Sequence, residues 1–135
     1  MDLTRFLHAQ ETTYDTALAE LRAGRKRTHW MWVVFPQLAG LGRSETARHY
    51  ALADAEEARA YLAHPVLGER LRTCAQALAD QPDADPEQVL GDVDALKLRS
   101  SMTLFAHVAP DEPVFRTVLD AWYDGRLDER TLGLL

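Results

Sequence analysis

Apolar residues recur three and four positions apart along most of this chain of 135 residues, a spacing typical of helices packed around a core. In residues 2–22 they form one amphipathic stripe: Leu3, Phe6, Leu7, Tyr14, Ala17, Leu18 and Leu21. No segment alternates apolar and polar residues, and the run from Trp32 to Phe35 is the only one that resembles a strand. The sequence therefore predicts an all-α fold, a compact bundle of about seven to eight helices in a single globular domain over residues 1–135.

Proline, glycine and capping residues indicate where these helices begin and end. Ser44 is expected to open a helix directly after a glycine-containing turn, and Asp111 and Asp128 are expected to cap helices near the end of the chain. Residues 92–107 form a further predicted helix. Its expected core positions are Leu96, Met102, Leu104 and Phe105.

The net charge of −6 argues against strongly anionic partners, so we expect neither nucleic-acid binding nor attachment to an anionic membrane surface. The charge is uneven, because residues 1–50 carry +2 and residues 51–135 carry −8. The basic excess centres on Arg22, Arg25, Lys26 and Arg27. Either a small anionic ligand or the preference of cations for a helix C-terminus explains this cluster.

The remaining bulk features predict a cytoplasmic protein. No apolar run approaches the roughly 20 residues that span a bilayer, and the first residues lack the pattern of a secretory signal. The single cysteine, Cys74, excludes an internal disulfide. The five histidines show no metal-ligand spacing, so neither a metal nor a cofactor is expected. The chain is expected to be a monomer or a homodimer.

The segment from Lys26 to Ser44 contains residue types that a simple connection does not need. At its end, Gly40 and Gly42 allow backbone N–H groups to approach an anion at the start of the next helix. Arg43 can add a bidentate contact to a phosphate. The alternative is a sharp loop followed by a helix that the Ser44 hydroxyl caps.

The same segment carries two tryptophans and a histidine. Trp30 and Trp32 point in different directions on a helix but share a face in an extended segment; we expect one in the core while the other forms a stacking wall for a ring. Packing of both tryptophans in the core is the alternative. His29 is a candidate general acid or base, or a side chain that is simply hydrogen-bonded in place.

A second polar motif runs from Lys97 to Thr103. Lys97, Ser100 and Ser101 are three and four positions apart, so they share a helix face. A lysine beside serine hydroxyls can activate a nucleophile, and a buried polar network is the alternative. The chain has only two lysines, Lys26 and Lys97, and each lies in one of these two motifs.

Four blocks of the sequence resemble a bacterial family known as domain of unknown function 1810, some of whose members carry the label calpastatin. The blocks are Asp2–Gln10, His29–Ser44, Ala60–Leu71 and Asp94–Phe105, which are spread over residues 2–105 of the chain. The resemblance implies a compact multihelical fold. It implies no activity, and no catalytic residue can be transferred from it.

Our leading hypothesis is a pocket in which the two motifs face each other and bind a phosphate-bearing or nucleotide-like molecule, with hydrolysis as a further option. The candidate catalytic residues are His29 as acid or base and Lys97. The candidate ligand-binding residues are Lys26, Trp30, Trp32, Gln37, Gly40, Gly42, Arg43, Ser44, Ser100 and Ser101. The alternatives are a non-catalytic adaptor that binds a partner protein and a structural homo-oligomer.

Overall fold

The computed structural model describes residues 2–135, so Met1 of the predicted domain lies outside the described residues. The described part contains nine α-helices: α1 (Thr4–Ala23), α2 (Met31–Val34), α3 (Glu45–His49), α4 (Ala55–Ala63), α5 (Leu67–Ala79), α6 (Pro86–Leu90), α7 (Asp92–Val108), α8 (Pro113–Tyr123) and α9 (Glu129–Leu134). An isolated bridge joins Leu38 and Leu52, and residues 2–135 contain no strand. The all-α prediction is confirmed, and the helix number exceeds the expected one because several helices have only one turn.

Side-chain caps set the helix starts that matter for the site. The Ser44 hydroxyl accepts a hydrogen bond from Ala47 N at 3.1 Å and opens α3, as predicted. The Asp128 carboxylate accepts from Thr131 N at 3.2 Å and opens α9. The predicted cap at Asp111 is wrong: α8 begins at Pro113, whose fixed φ suits a first helical position, and no side chain caps it.

Helix α7 is the central element, since it contacts α2, α4, α6, α8 and α9. Its residues Met102, Leu104 and Phe105 are fully buried, as the periodicity predicted. The prediction for Leu96 is wrong, because 63% of this side chain is exposed. The face of α7 that carries Leu96 is not covered by another helix, and it borders a cleft instead.

The short helix α2 is fixed to the core by Gln10 of α1. Gln10 is buried, and its amide nitrogen donates to Val33 O at 2.8 Å and to the Tyr61 hydroxyl at 3.1 Å. A buried amide that finds such partners avoids the cost of an unsatisfied polar group. The contact thereby fixes the position of the neighbouring Trp32. No helix in residues 2–135 has the length and apolar character needed to cross a bilayer.

Candidate functional site

A single carboxylate joins the two polar motifs. Asp94, in the first turn of α7, places one oxygen 2.9 Å from Lys26 Nζ and the other 3.2 Å from Lys97 Nζ. All three side chains are largely buried, so solvent screens these ion pairs less than it screens pairs at the surface. The segment 26–44 and the motif 97–103 therefore lie next to each other.

The Lys97 ammonium is held on two sides. Its Nζ lies 3.9 Å from the centre of the Trp32 ring, a distance at which a cation is attracted to an indole face. Asp94 contacts the same ammonium, and the Gln37 amide donates to the Lys97 carbonyl oxygen at 3.4 Å. Lys97 is consequently a fixed positive charge at the side of the cleft rather than a mobile surface lysine.

The cleft has a volume of about 510 Å³ and lies between the loop before α3, the uncovered face of α7 and the start of α9. Seven of the candidate residues line it: Trp32, Gln37, Gly42, Arg43, Ser44, Lys97 and Ser100. Arg130 of α9 and Asp128 join them. The charged lining therefore consists of three cations and one carboxylate, in a chain whose net charge is −6.

One oxygen of the Asp128 carboxylate, Oδ2, is engaged by its own neighbours. It accepts hydrogen bonds from the Ser100 hydroxyl at 2.9 Å and from the backbone and hydroxyl groups of Thr131. The Asp128 backbone N–H donates to the Thr103 hydroxyl at 2.9 Å. Ser100 and Thr103 thus belong to a polar network between α7 and α9, as the alternative interpretation of this motif expected.

Ser101 does not join the other residues of its motif in the cleft. It is fully buried, and its hydroxyl has no hydrogen-bond partner among the described residues. Lys97 and Ser100 line the cleft, whereas Ser101 faces the core. The three residues that the spacing placed on one helix face therefore lie in two environments, the cleft and the core.

Trp30 and Lys26 are structural components of the wall behind the cleft. The Trp30 side chain is 1% exposed, and its indole N–H donates to the Glu20 carboxylate at 2.9 Å. The same carboxylate accepts hydrogen bonds from the backbone N–H groups of Arg27 and Thr28. Desolvation would raise the pKa of Glu20, but these hydrogen bonds outweigh it and lower the pKa to about 2.

His29 is exposed and lies outside the cleft. It lines a separate depression of about 450 Å³, which it shares with Trp30, Thr46 and Tyr50. Trp32 borders both cavities and forms the wall between them. The two candidate catalytic residues, His29 and Lys97, therefore do not line the same cavity.

The glycine turn has the geometry of a tight loop against α3. Gly40 adopts φ +100°, which only glycine adopts without strain. A Cβ atom on Gly42 would lie 2.5 Å from the Ala47 Cβ, so the loop approaches α3 closely only because this position lacks a side chain. The Ser44 hydroxyl is used as a helix cap, and Arg43 is the residue of this turn that offers charge to the cleft.

Sequence reasoning missed Arg130, which lines the cleft, and Asp94, which pairs with the lysines beside it. Asp94 precedes Lys97 by three positions on one helix, so this ion pair has a sequence signal. Arg130 has none, because its approach to α7 depends on how α9 packs. Among residues 2–135, no group of three or more His, Cys, Asp or Glu side chains is placed to hold a metal ion.

Fold and site together define an all-α protein with a cation-lined cleft. The sequence matches the family described as protein of unknown function DUF1810 over residues 1–135, and the chain belongs to that family. It is similar to the conserved hypothetical protein Rv1873 from Mycobacterium tuberculosis, known from a crystal structure at 1.38 Å, with 48% identity, a TM-score of 0.97 and coverage of 99% of this chain and 96% of that chain. No curated protein matches the sequence.

Proposed function

We propose that the protein binds a small anionic molecule, carrying a phosphate or a carboxylate, in the cleft between α3, α7 and α9. The observation that carries this proposal is the convergence of Arg43 and Arg130 on one cleft from segments far apart in the sequence. Within residues 2–135, neither guanidinium has a carboxylate within ion-pair distance or makes a side-chain hydrogen bond. Both retain their donors for a ligand.

The electrostatics of the lining favour an anion. Arg43 and Arg130 contribute two positive charges that no described carboxylate pairs, Lys97 contributes a third that Asp94 already pairs, and Asp128 contributes one negative charge. A guanidinium recognises phosphate or carboxylate oxygens with two parallel hydrogen bonds. Two such groups beside the fixed Lys97 ammonium offer an anion several charged hydrogen-bond donors in one cleft.

The test is whether the purified protein binds inorganic phosphate. Calorimetry measures the binding directly, and thermal unfolding at constant ionic strength measures the stabilisation that binding causes. A ligand at one hundred times its Kd stabilises a protein by about 2.7 kcal/mol, which shifts the Tm of a chain of this size by roughly 10 °C. We expect phosphate to raise the Tm, and we expect chloride at equal ionic strength to leave it unchanged.

The decisive variant is the double substitution Arg43→Gln and Arg130→Gln. It removes both unpaired guanidinium groups and is expected to abolish the phosphate-induced shift. Arg59→Gln is the matched control, because Arg59 is an exposed arginine on α4 that does not line the cleft. An equal loss in the control, or no phosphate shift in the wild-type protein, would contradict the proposal.

The other interpretations have less support from the arrangement of side chains. Acid–base hydrolysis with His29 and Lys97 needs both residues beside one ligand, and they line different cavities. An adaptor that presents the aromatic segment needs an exposed patch, yet Trp30 and Phe35 are buried. The proposal therefore concerns binding, in a cytoplasmic protein that is a monomer or a homodimer.

A further inference from the structure

The cleft contains an apolar region beside its cations. Val93 and Leu96 of α7 line it, and 60% and 63% of their surfaces are exposed. These are the two most exposed large hydrophobic side chains among the described residues. Single exposed hydrophobic residues are ordinary on protein surfaces, but these two are adjacent on one helix face and lie in the same cleft as Arg43 and Arg130.

The α7 residues that line the cleft run from apolar to polar along the helix. Val93, Leu96, Lys97 and Ser100 line the cleft in this order, from the exposed Val93 to the buried Ser100, and about 10 Å of helix separates the first from the last. Ser100 contacts Asp128 at the start of α9, so Arg130 lies towards this end. Val93 marks the other end, near the first turn of α7.

We infer that the ligand of this cleft is an amphipathic anion, a phosphate ester or carboxylate whose substituent is an apolar group or a flat ring. This inference rests on the proposed function and specifies its substrate class. The anionic group contacts Arg43 and Arg130, while the substituent covers Val93 and Leu96 and removes their surface from water. A phosphosugar is disfavoured, because its hydroxyl groups would face these apolar side chains and lose hydrogen bonds to water without gaining new ones.

The experiment compares three probes by calorimetry at about pH 8, where their phosphate groups are mostly dianionic: inorganic phosphate, phenyl phosphate and glucose 6-phosphate. We expect phenyl phosphate to bind about tenfold more tightly than the other two, because it buries the apolar end of the cleft. In Leu96→Ser and Val93→Ser this preference is expected to fall to about twofold or less, whereas the affinity for inorganic phosphate stays unchanged.

Val66→Ser is the matched control, since Val66 is an exposed valine beside α5 that does not line the cleft. It is expected to keep the full preference for phenyl phosphate. Equal affinity of the three probes would overturn this inference and leave the proposed anion site intact, whereas failure of all three to bind would overturn both.

Size-exclusion chromatography of the same variants tests whether a second copy of the chain covers Val93 and Leu96. If Leu96→Ser converts a dimer to a monomer and leaves the preference among the probes unchanged, the apolar end belongs to an interface and the inference is wrong. An unchanged elution volume together with the lost preference supports an amphipathic ligand.

Discussion

The two halves of the segment 26–44 have opposite roles. In residues 26–35, side chains and backbone groups are fixed by internal partners: Lys26 pairs with Asp94, and Trp30 donates to Glu20. In residues 37–44 the chain passes the cleft, and Arg43 makes no ion pair with a described residue. The difference shows that one dense sequence motif contains two parts, of which the first builds the wall and the second meets solvent.

The comparison also explains why the first half is rich in aromatic residues. Trp30 and Phe35 are almost completely buried, with ring centres 6.3 Å apart, so they supply core packing rather than a binding surface. Trp32, between them, is only half buried and borders the cleft. Residue type alone does not distinguish these tryptophans, because the distinction arises from their backbone positions: Trp30 directly precedes α2, whereas Trp32 lies within it.

The largest effect is expected for Trp30→Ala. The substitution removes a fully buried ring and leaves the Glu20 carboxylate without one of its donors, so it should lower the free energy of unfolding by about 3–5 kcal/mol. Trp32→Ala is the matched comparison and should cost about half as much, because Trp32 is partly exposed. Urea unfolding measures both. Equal losses would show that Trp32, at the edge of the cleft, contributes as much to the stability of the fold as the buried Trp30.

A smaller effect is expected for Glu20→Gln, with a defined dependence on pH. The pKa of Glu20 is lowered to about 2 from an ordinary value of 4.5, so its ionised form stabilises the fold above pH 4.5, and this contribution is lost as the pH falls from 4.5 towards 2. We expect a loss of about 2 kcal/mol at neutral pH, since charge-assisted hydrogen bonds become neutral ones.

The difference between wild type and Glu20→Gln should therefore shrink as the pH falls towards 2. Chemical unfolding at neutral pH and at about pH 3 measures it. Glu11→Gln is the control, because Glu11 is an exposed residue of the same helix whose contact with His8 is long, at 3.9 Å. A difference that is constant across this pH range would show that the Glu20 carboxylate does not hold residues 27–30.

Gly42→Ala tests the close approach of the second half to α3. The added Cβ would lie 2.5 Å from the Ala47 Cβ, so the loop must shift, at a cost of roughly 1–2 kcal/mol. Gly133→Ala is the matched control, since a Cβ there meets no atom within 4 Å and alanine favours the helix α9. We expect the control to be neutral or slightly stabilising in thermal unfolding. A neutral Gly42→Ala would show that this turn adapts freely.

Local sequence patterns predicted the helices and the caps at Ser44 and Asp128, because the relevant contacts lie within one turn. The same reasoning placed Leu96 in the core with Met102 and Phe105, although positions 96 and 105 lie on opposite sides of an α-helix. The helices packed against α7 cover only part of its surface, and the position of α9 helps to decide which α7 residues stay exposed. That packing also brings Arg130 to the cleft, which no local pattern encodes.

The smallest effect on stability is expected for Arg43→Gln. If residues 37–44 serve a ligand, the Arg43 guanidinium contributes nothing to folding. The substitution should then change the free energy of unfolding by less than about 0.5 kcal/mol. Urea unfolding in a buffer without phosphate measures this change, and Arg59→Gln sets the scale for an exposed arginine elsewhere. A loss well above that of Arg59→Gln would place Arg43 among the residues that hold the fold. If Arg43→Gln leaves the stability unchanged but abolishes the response to phosphate, the Arg43 guanidinium serves ligand binding and not the fold.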